Sequence, residues 1–299
     1  MLNRLRNRLQ HRRLALLLAL GIAVGVSACS GVAFTVANAP ALVGRFDRQS
    51  DIAYAAGRRQ TLDVYVPAHV KDAPVIVFWY GGAWARGHKG AYRFVGATLA
   101  EAGYLAILPN YRLYPQVRFP EFVDDGALAV KWTQDHAAEY GGDPGKLFLM
   151  GHSAGAHMAA LLALDGKYLQ RVGADPRAIR GLIGMSGPYV LTPNSPQLNE
   201  IFAAPATAAD WQPVQHVSAA APPTLLLHGA DDTIVVPGHA ERLAAALQAA
   251  GVAVELKIYP GSKHPDTVAA LSVAARGRAP VLDDIRAFIE RNSAATPRR

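Results

Sequence analysis

Continuous apolar runs recur along the chain at residues 75–79, 105–108, 147–150, 182–185 and 224–227. Runs without polar alternation suit strands covered on both faces, so they predict the buried strands of a parallel sheet. Residues 60–66 and 252–259 alternate apolar and polar side chains and read as further strands, the first at an edge of the sheet. Helical stretches lie between the runs at 94–102, 122–139 and 154–164. Residues 237–250 open on Pro237 and stop at Gly251, the punctuation of a bounded helix. Near 283–291, Ile285, Phe288 and Ile289 fall on one face of a last helix. Strand and helix alternate with no internal repeat, which predicts one α/β domain with a mostly parallel sheet. Residues 188–221 hold five prolines and no periodicity, and read as a small cap insertion over a pocket.

Charge changes the picture at the amino-terminal end. The formal net charge is +7, but Arg4, Arg6, Arg8, Arg12 and Arg13 lie within the first 28 residues with no acid, leaving the remainder near +2. The basic balance is therefore no sign of a nucleic-acid partner. Residues 14–26 are thirteen uninterrupted apolar positions, inside the range of a signal-peptide core and short of the roughly 20 that span a bilayer as a helix. Small residues then precede Cys29, the only cysteine in the chain, which excludes an intrachain disulfide. This junction resembles the lipobox of bacterial lipoproteins, and the resemblance makes Cys29 the lipidated first residue of the mature protein. It implies a signal peptide over 1–28, a lipidated tether over 29–50, a folded domain over 51–293 and a disordered tail over 294–299. The expected location is the cell envelope, with a lipid anchor in the membrane. Ser30 favours the outer membrane facing the periplasm. An inner-membrane anchor, or a cleaved secretory signal beside an incidental cysteine, is the alternative.

Candidate chemistry starts from Gly151-His152-Ser153-Ala154-Gly155, set between the 147–150 run and the 154–164 helical stretch. A G-x-S-x-G between strand and helix is the pattern of a nucleophile elbow, whose glycines permit a cramped turn with the hydroxyl exposed above the sheet. Ser153 is the candidate nucleophile; the plain alternative is a serine at a helix N-cap. A hydroxyl needs a general base and a group that orients that base. The 224–227 run leads into His228-Gly229-Ala230-Asp231-Asp232, and the 252–259 strand into Pro260-Gly261-Ser262-Lys263-His264. An acid and then a histidine thus follow the serine at the carboxyl edge of the sheet, where such sheets carry their sites. His264 is the candidate base, and either Asp231 or Asp232 the acid. Stabilising a tetrahedral oxyanion requires aimed N–H groups, expected from Ala154 and, in Tyr80-Gly81-Gly82-Ala83-Trp84, from Gly82 and Ala83. Trp84 and Trp211 are candidate walls of the pocket. His152 and His157 stand five residues apart, about 140° around a helix, a spacing that does not aim both at one metal. No metal or other cofactor is expected, and His228 reads as a satisfied histidine steadying the acid loop.

These motifs resemble those of the α/β-hydrolase carboxylesterases. The resemblance rests on the glycine-rich 80–84 loop, Asn110-Tyr111-Arg112-Leu113, Tyr140-Gly141-Gly142-Asp143-Pro144, the elbow continued through Ala156-His157, Gly229-Ala230-Asp231-Asp232, and Gly261-Ser262-Lys263-His264. It covers about residues 50–293 and is strongest for the feruloyl-esterase-like, prenylcysteine-methylesterase-like and kynurenine-formamidase-like branches. It implies an α/β-hydrolase fold, with a mostly parallel central sheet, helices on both faces and a small cap. The implied activity is a serine hydrolase cleaving carboxylic esters, short-chain or aryl, through an acyl-enzyme. The family pattern places the acid on Asp232 and the base on His264. Its partner is a small-molecule ester, with no cofactor and no obligate protein partner. The loop in that family opens with histidine, where this chain has Tyr80; the main-chain donors survive the change, and the substrate preference does not carry over. An aryl formamidase is the alternative enzyme, and a catalytically silent hydrolase scaffold that binds a partner is the alternative of another class.

Overall fold

The computed structural model describes residues 34–39 and 44–293. Its sheet has eight strands in the order β1-β2-β4-β3-β5-β6-β7-β8. They are β1 (Phe46–Ala53), β2 (Thr61–Pro67), β3 (Ala73–Trp79), β4 (Leu105–Pro109), β5 (Gly142–His152), β6 (Ile179–Met185), β7 (Thr224–Gly229) and β8 (Val254–Tyr259). β2 runs antiparallel to both β1 and β4, and from β4 to β8 every neighbouring pair is parallel. The apolar runs are the middle strands: every residue of β4 and β7 is buried. Each strand outlasts its apolar run by a few residues because backbone pairing continues where side chains turn polar. β5, for example, already pairs at Gly142 with Ala73.

Five longer helices cover the sheet: α1 (Arg93–Glu101), α2 (Glu121–His136), α3 (Ala154–Leu164), α4 (Gly238–Ala249) and α5 (Val281–Ser293). α3 follows the candidate nucleophile and buries every residue but Ala163. It packs on β3, β5 and β6 from one side and under α2 from the other, so an alanine- and leucine-rich helix with no polar face is what the position requires. Residues 188–221 leave the sheet after β6 and hold only short helices, Pro196–Ile201, Ala208–Trp211 and the 3-10 turn Pro213–His216, before β7.

Two expectations are corrected. β2 is an interior strand, and the edge position belongs to β1, whose side chains are mostly exposed and polar. A strand held by backbone bonds at a solvated edge carries no apolar pattern, so it read as tether. The expected boundary at residue 51 therefore falls inside β1, and the domain begins earlier. Residues 34–38 are also docked: Phe34 packs on Tyr92 at 5.1 Å between ring centroids, and Asn38 Oδ1 accepts the Phe94 N–H at 2.9 Å. The expected signal peptide, Cys29 and the 294–299 tail lie outside the described residues. No helix among the described residues is long and apolar enough to cross a membrane.

Candidate active site

β5 ends at His152, and the chain reverses into α3 through Ser153, whose φ of 56° and ψ of −122° lie outside the regions an L residue favours. Such strain costs of order 1–3 kcal/mol and persists only where the surroundings enforce it. Here the Ser153 N–H donates to the Met185 carbonyl of β6 at 2.9 Å, and its own carbonyl accepts from His157 at 3.1 Å. The flanking glycines permit the crossing: a Cβ on Gly151 would sit 2.3 Å from the Gly155 carbonyl oxygen, and one on Gly155 would sit 2.1 Å from that of Trp79.

The ends of β7 and β8 bring two more groups to this serine. His264 Nε2 lies 2.9 Å from Ser153 Oγ, and His264 Nδ1 lies 2.7 Å from Asp232 Oδ2. Backbone bonds stitch the two loops together, from Ala230 N–H to Tyr259 and from Asp231 N–H to Ser262, both 2.9 Å. Asp232 Oδ1 accepts the N–H groups of Ile234 and Val235, each at 2.9 Å, which turns its carboxylate inward. Buried His228 approaches Oδ2 at 3.3 Å while donating to the Val235 carbonyl at 2.7 Å. Burial by itself raises the Asp232 pKa, but the hydrogen bonds from His228, His264 and Val235 outweigh it and hold the carboxyl well below its usual range. An ionised Asp232 fixes the proton of a neutral His264 on Nδ1 and leaves the Nε2 lone pair for the Ser153 hydroxyl. Asp231 is exposed, and its side chain takes no part in this chain of bonds.

Two other histidines brace the site. His152 is held uncharged, its pKa pulled down to about 3 by burial and then by the neighbouring His264; it donates from Nε2 to the His264 carbonyl at 3.0 Å. His157, pulled down to about 4 by burial, donates to the Trp211 carbonyl at 2.6 Å and ties the cap stretch to α3. No group of three or more His, Cys, Asp or Glu among the described residues is placed to hold a metal ion.

Ser153 opens on a cavity of about 390 Å³. Ala83 and Trp84 wall it from the loop after β3, Ala154 from the elbow, Pro188, Val190, Leu191, Thr192, Asn194 and Leu198 from the cap, Ile234 and Val235 from the acid loop, and His239 and Arg242 from α4. A larger hollow of about 590 Å³, beside Pro74, Glu101, Lys146 and Arg286, contains none of these groups.

Of the three expected oxyanion donors, Ala83 and Ala154 flank Ser153 in the cavity, and Gly82 does not. Gly82 shapes the turn: its φ is +133°, its carbonyl accepts from Ala85 and Arg86 at 3.1 Å each, and a Cβ there would meet the Arg86 carbonyl oxygen at 2.1 Å. Tyr80 is buried and anchors the loop, donating to Asn110 Oδ1 at 3.0 Å and accepting from Arg59 at 2.8 Å. Trp84 lines the cavity, braced edge-on by Phe202 at 4.8 Å and His157 at 5.0 Å. Trp211 does not line it, which corrects the expectation: drawn down by the His157 bond, it packs behind Phe202 at 5.6 Å. His239 and Arg242 escaped sequence reasoning; their i,i+3 spacing on a helix just after the acid loop was the available signal.

The sheet order and the strained serine between β5 and α3 make the molecule an α/β hydrolase. Esterase 2 of Thermogutta terrifontis, in its apo form, superposes with a TM-score of 0.65 at 25% identity, over 82% of this chain and 91% of that one. The chain belongs to the BD-FAE family, whose model matches residues 62–247. Among curated relatives, isoprenylcysteine alpha-carbonyl methylesterase ICME of Arabidopsis thaliana is 30% identical over 238 residues, 72% of this chain and 56% of that protein. Esterase LipQ of Mycobacterium tuberculosis is 30% identical over 244 residues, 74% of this chain and 58% of that protein. This chain thus spans less than three fifths of either relative.

Proposed function

We propose that the protein is a carboxylesterase that cleaves short-chain or aryl esters through an acyl-enzyme on Ser153. The observation that carries this is the unbroken hydrogen-bonded series from Asp232 through His264 to a strained serine at the floor of a cavity. The names of the relatives, two esterases and a methylesterase, support the same class. Ser153 Oγ attacks the ester carbonyl as His264 Nε2 takes its proton, and the carbonyl oxygen becomes an oxyanion facing the N–H groups of Ala83 and Ala154. Collapse breaks the bond to the alkoxy oxygen, which leaves as alcohol with the proton from His264. Water then repeats the sequence on the acyl-enzyme, yielding the acid and restoring Ser153. A cavity of about 390 Å³ is at the small end of the ~300–1,000 Å³ typical of ligand sites, which favours short acyl groups.

Ser153→Ala should lower kcat by about 10⁶, the scale of losing such a nucleophile, and abolish stoichiometric labelling by a fluorophosphonate. A folded variant keeping a hundredth of the activity sinks the mechanism. We further propose that Cys29 carries a lipid anchor at the cell envelope; radiolabelled palmitate should mark the full chain and not Cys29→Ala, and equal labelling of both rejects it.

A further inference from the structure

Arg242 is the one charged side chain lining the cavity that holds Ser153, and no aspartate or glutamate lines it. It sits on α4 three residues after His239, so the two share a helix face. That face is pinned to the cap where the Val190 N–H donates to His239 Nδ1 at 3.2 Å. A neutral His239 therefore carries its proton on Nε2. Burial first, then His228 and Arg242 nearby, hold this imidazole below its ordinary pKa, so it presents no competing charge.

The other functional acid of the neighbourhood, Asp232, is buried and occupied by His264 and His228. Several arginines of the domain have carboxylate partners, as Arg112 has Asp125, Arg171 has Asp124, Arg278 has Asp266 and Arg291 has Glu255. Arg242 has no carboxylate within ion-pair distance among the described residues, although its guanidinium is permanently charged and shaped to grip one with two parallel N–H bonds. The same cavity is walled in part by the apolar side chains of Val190, Leu191 and Leu198. A reacting serine, apolar walls and an unpaired cation on one cavity are complementary to an ester with an apolar portion and an anionic end.

We infer that the site selects esters bearing a carboxylate remote from the scissile bond, and that Arg242 reads that carboxylate. This rests on the esterase reading above and specifies its substrate class.

The test compares 4-nitrophenyl hexanoate with the 4-nitrophenyl monoester of adipic acid, which differs by a carboxylate at the chain end. 4-Methylphenyl acetate and the acetate ester of 4-hydroxyphenylacetic acid form the matching pair with the carboxylate in the alcohol half. In the wild-type full chain, kcat/KM should favour the anionic member of at least one pair. Because Arg242 is exposed and screened, the preference should be about five- to tenfold at low salt and shrink as ionic strength rises from about 0.05 to about 0.5 M. Arg242→Gln should erase the preference mainly through KM, as loss of binding shared by ground and transition states does. Arg242→Lys should keep part of it, and Arg242→Glu should favour the 4-nitrophenyl ester of 6-aminohexanoic acid. If a variant fails to fold, the wild-type preference and its salt dependence decide alone. Wild-type ratios at or below one in both pairs, or a preference that survives Arg242→Gln, overturn the inference. Hydrolysis of the neutral esters without discrimination leaves the esterase reading standing; absence of any hydrolysis removes that reading instead.

Discussion

Asp125 and Asp232 are both buried carboxylates, yet their partners differ in kind. Asp125, on α2, receives the guanidinium of Arg112 at 2.7 Å, the Arg112 N–H at 2.8 Å and the Gln60 amide at 2.7 Å. It thereby ties the start of β2 and the loop after β4 to that helix. Asp232 receives two imidazoles and two backbone N–H groups. A permanent cation already balances Asp125, so nothing is left for a reaction to change. The partners of Asp232 are imidazoles and backbone amides, and one of them, His264, touches the serine. In the proposed mechanism, a proton taken by His264 places a cation beside the buried carboxylate as the intermediate forms. Equal burial therefore makes one carboxylate a fastening and leaves the other poised. Asp63, tied to buried Lys89 and to Arg48, belongs with the fastenings.

The widest separation should come from substituting the acid of the site. Asp232→Asn should keep the fold and lower kcat by about 10⁴, the scale of a mis-set histidine tautomer, whereas exposed Asp231→Asn should change it by no more than about twofold. The reverse ranking, measured on folded proteins with a nitrophenyl ester, would hand the role to Asp231 and break the contrast.

Asp125→Ala should act on stability instead. Removing one member of a buried ion pair costs about 3–5 kcal/mol, and the lower end applies because the Arg112 side chain is 31% exposed. Urea midpoints should report the loss, while kcat per fluorophosphonate-labelled site stays of the same order. A large fall in kcat per labelled site would show that the clamp reaches the chemistry and blur the distinction.

The smallest effect concerns the uncharged state of the bracing imidazoles. With folded pKa values of about 3 for His152 and about 4 for His157, the unfolded chain binds more protons once pH drops below about 6.5. Stability is then fully present above that pH and declines toward pH 4, with a slope of at most about 1.4 kcal/mol per pH unit for each histidine. Asp232, held low in the folded state, adds a further loss as pH falls below about 4, where the unfolded carboxyl takes its proton. His157→Gln should make the decline between pH 6 and 4, read from urea midpoints, shallower by roughly one histidine's slope. An unchanged slope would mean that His157 is charged in the folded protein.

Local pattern determined much of this molecule. Unbroken apolar runs marked β3 to β7 because a strand covered on both faces favours apolar side chains, and Gly151 and Gly155 marked the elbow because only hydrogen fits against the Gly155 and Trp79 carbonyls. His264 and the paired acids were legible as residues just past strand ends, where a parallel sheet exposes its loops.

Tertiary structure alone decided the rest. β1 is held by backbone bonds at a solvated edge and has no apolar signature. The inward turn of Asp232 depends on the Ile234 and Val235 amides and on buried His228. Trp84 faces the cavity and Trp211 does not because His157, 54 positions earlier, seizes the Trp211 carbonyl. Ser153 and His264 meet across 111 positions of chain, and Arg242 reaches the same cavity from α4, where its i,i+3 spacing with His239 is the one local trace. Hydrophobic period and backbone sterics act within a turn or a strand and can be read along the chain. Hydrogen-bond partners and cavity walls come from segments far apart in sequence, and they exist only once the sheet has brought those segments to one edge.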